Sequence, residues 1–429
     1  MKIIVYTLFM ALPLFVFGST LGELTEYAIT HSTVMKQSAA QRDLSELKRK
    51  ESKVQQYGEL NLVGDYTHYN TARTLAPLTP SAISTGVPIT TSKDIFYTGL
   101  SYAVPLFTGF AQTRQIEIST IAKQMAEAKM KLSKEQLVYN VRSLYLSILA
   151  QEKILQAQRA YTKALHTLSK QIAYEVELGK KAKIDLLKAQ SNAQASQTQV
   201  EILQNNIDIS KATLSSLVGK EVTHLSALNI KVKKPNYSVN RLYANVSQLA
   251  KVEVEEISLL KADKTIAKSE SAKLPQVNFS GFVGKNYGED LVTNDWDNET
   301  LWQAGVNVKW NVLDFGKRDL GVQQAKIAKM EATFQKEQTL RDLKKLLTEA
   351  VAKIKQSYAS YLGNVKQLRL STKSESIEAV RYNNDVSTLN DLLLAKGQTQ
   401  LARAKMIESR YNYQKSKYYL DYLLELGVE

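Results

Sequence analysis

Hydrophobic and polar residues alternate along this chain with two periods, and the shorter period marks strands. From Leu301 to Val312 every second residue is apolar or small, and the residues between are mostly polar. The apolar face carries Trp302, Ala304, Val306, Val308, Trp310 and Val312, opposite Gln303, Gly305, Asn307, Lys309 and Asn311. A period of two predicts a β-strand with one apolar face. Similar patterns predict two strand pairs, at about 58–106 and about 276–313.

The longer period follows each strand pair and predicts helices. Apolar residues recur at spacings of three and four, as in Ile118, Ile121, Met125, Ala128 and Leu132. Between Ala111 and Leu178 there is neither glycine nor proline. About 65 helical residues at about 1.5 Å each reach roughly 100 Å, far more than a globular domain needs. We therefore predict long antiparallel coiled-coil hairpins at about 107–218 and about 314–426.

The same plan occurs twice in the chain. Asp185-Leu186-Leu187 matches Asp391-Leu392-Leu393 at a separation of 206 residues, and Ile121-Ala122-Lys123 matches Ile327-Ala328-Lys329 at the same separation. The sequence therefore predicts a tandem duplication with four strands per chain. Its expected parts are a signal peptide at 1–18, a first repeat at 19–218, a linker at 219–240 and a second repeat at 241–429.

Composition removes several functional classes. The 429 residues include no cysteine, which excludes disulfides, thiolate metal centres and a cysteine nucleophile. The formal charge is +14, but lysines and arginines are dispersed among acidic residues along the helical stretches, which favours a solvated helix face over a nucleic-acid site. The four histidines are scattered without metal-ligand spacing or a nucleophile motif. We therefore expect no enzyme, no metal and no cofactor.

The N-terminus has the pattern of an export signal. Lys2 precedes an apolar run from Ile3 to Phe17, and the small residues Gly18 and Ser19 follow. A retained membrane anchor is the alternative, although the run is short of the roughly twenty residues that a span needs. No comparable apolar run follows, so an exported chain of this kind would have to enter a membrane as strands.

The aromatic residues favour membrane strands over a soluble sandwich. Trp302, Trp310 and Tyr102 lie in the strand pairs, and rings near strand ends are typical of membrane interfaces. A sandwich core remains the alternative interpretation. Four strands cannot close a membrane barrel, because such barrels begin at about eight strands. Several chains should therefore contribute to one transmembrane antiparallel β-barrel, as a symmetric oligomer.

Several short motifs together resemble the TolC-like outer membrane efflux protein family. They are Val104-Pro105-Leu106-Phe107-Thr108-Gly109-Phe110, Leu178-Gly179, Asp185-Leu186-Leu187-Lys188-Ala189 and Leu274-Pro275, in addition to the duplication. The resemblance covers essentially the whole chain after the signal. It implies a homotrimer with a twelve-stranded barrel on a long α-helical barrel, in the outer membrane of a Gram-negative bacterium and extending into the periplasm. It also implies a passive exit duct of a tripartite efflux pump or a type I secretion system, whose partners are a periplasmic adaptor, an inner-membrane pump and outer membrane lipid.

The resemblance also implies a gate at the hairpin tips. Asp391 matches a pore-lining aspartate, and Tyr382 matches a latch tyrosine whose partner would be Asp185. The adaptor would touch the tips at Gly179, Lys180, Asp385 and Val386. Three positions depart from the family pattern, because Leu394 replaces a second aspartate, Ser387 replaces a latch arginine, and Asp385 replaces the tip glycine. Asp185 and Asp391 could also be ordinary acids at helix N-termini, and the two interpretations are compatible.

A secreted coiled-coil fibre or adhesin is the rival interpretation. Long helices and export suit such a protein, but it needs neither alternating membrane strands nor their duplication. The sequence does not distinguish drugs, metal ions and proteins as cargo, because a passive duct need not encode what a pump selects.

Overall fold

The computed structural model describes residues 18–86 and 89–427, so the predicted signal peptide lies outside the described residues except for Gly18. Two helices, α1 (Leu21–His31) and α2 (Thr33–Val54), precede the first strands. The rest of the first copy is β1 (Glu59–Thr74), α3 (Pro80–Ser84), β2 (Thr91–Phe107), α4 (Ala111–Glu177) and α5 (Lys183–Val218). The second copy follows with α6 (Val239–Tyr243), α7 (Ala250–Ser271), β3 (Gln276–Glu289), β4 (Trp296–Lys309), α8 (Lys317–Asn383) and α9 (Leu389–Leu423).

The helices repeat with the separation found in the sequence. Helices α4 and α8 have 67 residues each, and their first residues, Ala111 and Lys317, are 206 positions apart. Helices α5 and α9 have 36 and 35 residues and begin 206 positions apart at Lys183 and Leu389. The predicted duplication is therefore present in the backbone.

The chain divides into two compact units. One comprises Ala40–Ala128 and Glu253–Glu337, and contains the sheet. The other comprises the described part of Met1–Ala39 together with Lys129–Val252 and Gln338–Glu429, and contains the hairpin tips.

The sheet has four antiparallel strands in the order β1-β2-β3-β4. Its register aligns apolar side chains across all four strands, because Leu62 pairs with Leu100, Leu100 with Val283, and Val283 with Trp302. Paired residues point to the same face of a sheet. The apolar face predicted strand by strand is therefore one continuous surface.

Two glycines are required on the other face of the sheet. A Cβ atom on Gly99 or Gly284 would lie 2.7 Å or 2.6 Å from the ring of Phe282. That ring meets Tyr97 edge-on at 5.7 Å between centroids. The glycines thus make room for an aromatic pair on this face.

The boundaries of the strands differ from the predicted ones. Strand β4 ends at Lys309, although the alternation continues to Val312, because Asp314 already caps α8 by accepting the Arg318 N–H at 3.1 Å. Strand β1 continues to Thr74, because pairing with β2 resumes at Arg73 after an irregularity.

The core of the tip-containing unit consists of three apolar clusters between helices. One joins α1, α4 and α5 through Leu24, Val141, Leu146, Ile207 and Leu214. A second joins α7, α8 and α9 through Val252, Leu343, Leu347, Ile354 and Leu420. The third lies at the tips and joins both hairpins through Leu165, Ile172, Ala189, Tyr382 and Leu392. Among the described residues, no helix combines the length and the apolar character needed to cross a bilayer.

The segment between the copies is held by buried tyrosines and an arginine. The hydroxyl of Tyr145 donates to the Ser226 carbonyl at 2.6 Å, and that of Tyr413 donates to the Lys233 carbonyl at 2.7 Å. The Arg410 guanidinium donates to the Ile230 carbonyl at 2.8 Å. Side chains of α4 and α9 therefore satisfy backbone carbonyls of this irregular segment.

Candidate functional site at the hairpin tips

The two hairpin tips are built by the same backbone turn. After α4, Lys180 N–H donates to the Glu175 carbonyl at 2.8 Å and Gly179 N–H to Val176 at 3.0 Å. After α8, Val386 N–H donates to the Arg381 carbonyl at 2.8 Å and Asp385 N–H to Tyr382 at 3.1 Å. These are the paired bonds of a Schellman motif, which ends a helix with one left-handed residue.

The left-handed residue differs between the copies. In the first tip it is Gly179, with φ of 72°, and in the second it is Asp385, with φ of 56°. Glycine adopts this conformation without strain, whereas aspartate is one of the few other residues that tolerates it. The replacement of the tip glycine by Asp385 therefore preserves the turn and adds a carboxylate to it.

Asp391 caps the N-terminus of α9. Its carboxylate accepts the Thr388 N–H at 3.1 Å and the Thr388 hydroxyl at 2.7 Å, and its own N–H donates to the Thr388 hydroxyl at 3.2 Å. This reciprocal pair is a capping box. The hydrogen bonds from Thr388 lower the pKa of Asp391, and the charge of Arg381 adds to the effect. The carboxylate is therefore exposed, ionised and fixed in position.

Asp185, at the matching position in the first tip, has a different environment. Helix α5 begins after Ala182, which offers no side-chain cap, and Asp185 lies in the first helical turn. Its N–H donates to the Ala182 carbonyl at 2.9 Å. A carboxylate in the first turn of a helix is stabilised by the helix dipole.

Tyr382 is buried, and its hydroxyl is unpaired. The residue is 4% exposed and belongs to the apolar cluster at the tips. Its hydroxyl has no hydrogen-bond partner in the part of the chain that the structure describes. Burial raises the pKa of this phenol. The link from Tyr382 to Asp185 stays a prediction.

Lys181 joins the two tips, and the sequence analysis missed it. Its ammonium lies 2.6 Å from a carboxylate oxygen of Asp385 and 4.9 Å from the centroid of the Tyr382 ring. The partners are about 200 residues away along the chain, so no local motif reveals the contact. The only signal was the unusual aspartate at the tip.

The predicted adaptor-contact residues Gly179, Lys180, Asp385 and Val386 are all exposed at these tips. Two departures from the family pattern have visible consequences. Leu394 is 59% exposed, and the buried Ser387 hydroxyl oxygen has no hydrogen-bond partner within residues 18–86 and 89–427. Across the whole described part of the chain, no group of histidine, aspartate and glutamate side chains could hold a metal ion.

The predicted membrane-interface aromatics lie in or next to the sheet. Trp302 is 77% exposed on the apolar face. The Trp310 indole, just beyond the end of β4, donates to the Lys273 carbonyl at 3.1 Å. The Tyr102 hydroxyl donates to the Tyr57 carbonyl at 2.7 Å. Each ring thus exposes apolar surface, and two of them have a bonded polar group, as interfacial aromatics do.

Comparison with known proteins agrees with this architecture. A family model described as outer membrane efflux protein matches residues 24–220 and 241–424. Outer membrane protein TolC of Escherichia coli (strain K12) is 22% identical over 397 residues, covering 88% of this chain and 76% of that protein. Outer membrane protein TolC of Vibrio cholerae is 24% identical over 339 residues, covering 75% and 74%.

A solved structure with the same fold is the Campylobacter jejuni CmeC outer membrane channel. It superimposes with a TM-score of 0.78 at 15% identity, over 95% of this chain and 86% of that one. The family match covers both copies, and within 24–424 only 221–240 is unmatched, so the fibre interpretation is not supported. This chain belongs to the outer membrane efflux protein family and is an efflux channel of the Gram-negative outer membrane that extends into the periplasm.

Proposed function

We propose that three copies of this chain form a passive exit duct that is closed at the hairpin tips, where three copies of Asp391 surround the throat. The observation that supports this best is the state of Asp391, which is exposed, ionised and held by the capping box with Thr388. Three such carboxylates around a threefold axis concentrate negative charge, which attracts cations and resists anions.

The edges of the sheet support an assembly of several copies. Among the residues that the structure describes, strands β1 and β4 each have a neighbouring strand on one side only. Unpaired backbone groups at such an edge are costly in lipid, where no water can satisfy them. Pairing β4 of one copy with β1 of the next removes both edges, and three copies give a homotrimer with twelve strands.

The exposed tips support docking of a periplasmic adaptor. Gly179, Lys180, Asp385 and Val386 are the residues that we assign to this contact, and all four are exposed. The adaptor would connect the duct to an inner-membrane pump, which supplies the energy and selects the cargo. We assign no catalytic step to this chain.

A conductance measurement in a planar bilayer tests the throat. We expect a trivalent cation to block the native channel and to block Asp391→Asn at least tenfold more weakly, because asparagine keeps an acceptor for the cap but loses the charge. Thr388→Ala is the matched control, since it removes the cap and keeps the carboxylate. Equal block of native protein and Asp391→Asn would refute the assignment of Asp391 to the throat. Absence of any channel steps would refute the proposal that the chain forms a duct.

The second part of the proposed gate is a link between the Tyr382 hydroxyl and the Asp185 carboxylate. The buried, unpaired hydroxyl supports it, because an unsatisfied buried donor is costly and favours a state that pairs it. Tyr382→Phe removes only this hydroxyl and should raise conductance if the link holds the closed state.

A further inference from the structure

Lys181 connects the two tips through two different interactions. It lies in the turn of the first hairpin, and both groups that it contacts lie at the tip of the second hairpin. The ion pair with Asp385 has an N–O distance of 2.6 Å, and the ammonium also lies 4.9 Å from the Tyr382 ring centroid. The Lys181 side chain is 22% exposed, so it is largely covered although it is charged.

The backbone conformation at Asp385 limits which residues can occupy this position. The matching position in the first tip is Gly179, and few residues other than glycine tolerate the left-handed conformation. Asp385 accepts this conformation and gains an ionic partner from the other hairpin. The lysine and the unusual aspartate are therefore two halves of one contact.

The electrostatics agree with a formed ion pair. The hydrogen bond with Asp385 raises the pKa of Lys181, and the same bond lowers the pKa of Asp385. The contact to Tyr382 uses the face of the ring and leaves the hydroxyl unpaired. An ammonium over an aromatic face is attracted by the ring quadrupole.

We propose that Lys181 is the residue that locks the two hairpin tips of one protomer together in the closed duct, through Asp385 and the ring of Tyr382. This lock deepens the proposed function and rests on it. The Lys181 contacts connect the two hairpins in a chain that has Ser387 where the family pattern has a latch arginine. Opening the duct then requires Lys181 to leave both partners.

Bilayer conductance of Lys181→Gln tests the lock. We expect the ratio of open to closed dwell time to rise about tenfold, since an ion pair and a cation–π contact are both lost. Asp385→Asn should give a smaller rise, because the ring contact survives. Lys183→Gln is the matched control, since Lys183 is exposed at the start of α5 and belongs to neither the ion pair nor the ring contact. Equal gating of Lys181→Gln and Lys183→Gln would overturn the proposal.

Tyr382 variants separate this lock from the hydroxyl link. Tyr382→Phe keeps the ring face and leaves both Lys181 contacts intact, whereas Tyr382→Leu removes the ring contact and leaves the ion pair with Asp385. The proposal therefore expects Lys181→Gln to change gating by the full factor within the Tyr382→Phe background and by a smaller factor within Tyr382→Leu. The reverse pattern would contradict it.

Cross-linking gives a readout that does not depend on gating. The chain has no cysteine, so Lys181→Cys combined with Asp385→Cys creates the only two thiols. A short thiol-specific cross-linker should join them within one polypeptide and hold the channel at low conductance. Cross-links between polypeptides would overturn the assignment to one protomer.

The two proposals fail in different ways. No channel steps in the native protein would refute the duct itself. Channel steps with cation block that depends on Asp391, but with unchanged gating in Lys181→Gln, would refute only the lock.

Discussion

Glu135 shows at the level of one residue how burial and charge compete in the long helices. It lies in α4 and is 7% exposed. Its carboxylate accepts the Gly427 N–H at 3.0 Å, and a Cβ atom on Gly427 would come within 2.5 Å of the same oxygen. Burial raises the pKa of Glu135, and the nearby charge of Glu425 raises it further. Burial therefore makes the charged form of Glu135 costlier than it is in water, although the Gly427 hydrogen bond offsets part of this cost.

We predict that Glu135→Gln raises the unfolding temperature at neutral pH. Because the folded-state pKa lies above its ordinary value, the burial penalty is absent at low pH and develops as the pH rises through the folded pKa. Glutamine removes the charge and keeps an acceptor for Gly427. Circular dichroism melts at about pH 7.5 and about pH 4 should show the gain only at the higher pH. A loss of stability at neutral pH would mean that the charged hydrogen bond outweighs burial.

The residue scale also shows what sequence can and cannot predict about the site. Asp185 and Asp391 lie in a short motif that occurs in both copies, whereas Tyr382 was predicted from the family resemblance, and the roles of all three in the gate stay predictions. Lys181 was missed because its partners, Asp385 and Tyr382, become neighbours only when the two copies pack side by side. Contacts between hairpins depend on helix register, which a periodic sequence leaves open.

At the level of elements, α7 has its N-terminus capped by a distant carboxylate. Glu425 accepts the N–H groups of Ala250 and Lys251 at 2.7 Å and 3.1 Å. These donors have no partner within the helix. A negative carboxylate at this end also interacts favourably with the helix dipole. The first turn of α7 is therefore tied to the segment that follows α9.

We predict that Glu425→Ala weakens the first turn of α7 by about 1 kcal/mol. Hydrogen exchange at Ala250 and Lys251 should accelerate by about fivefold, because the open state is favoured by that amount. Glu425→Gln should give an intermediate rate, since it keeps one neutral acceptor. The Asp391 amide, in the separate cap of α9, is the internal reference. Unchanged exchange at Ala250 would show that water caps the helix equally well.

Elements differ in how well the sequence predicted them. Helix α4 lies within the hairpin predicted at about 107–218, because no proline or glycine interrupts 111–177 and the next glycine, Gly179, follows its end. The strand ends were less accurate. Alternation in β4 continues past its last paired residue, Lys309, since the pattern reflects which face is apolar and pairing depends on the neighbouring strand.

At the level of the whole molecule, both faces of the sheet are exposed in a single chain. Trp302 and Val306 on one face are 77% and 61% exposed, and Asn307 on the other face is exposed as well. Burial within one chain therefore does not identify the face that meets lipid. The strand register identifies the lipid-facing side instead, because the paired apolar side chains form one surface that spans all four strands.

We predict that Val306→Lys prevents assembly in the outer membrane and that Asn307→Lys does not. Val306 lies on the lipid-facing side, where a lysine costs about 1–3 kcal/mol per chain depending on its depth, and a trimer carries that cost three times. Asn307, one residue further, points to the water-filled side, where a charge stays hydrated. Membrane fractionation and the mobility of unheated protein on a denaturing gel report the assembled trimer. If Asn307→Lys were the damaging change, the two faces would be reversed. If both variants assembled normally, the Val306 face of the sheet would not contact lipid.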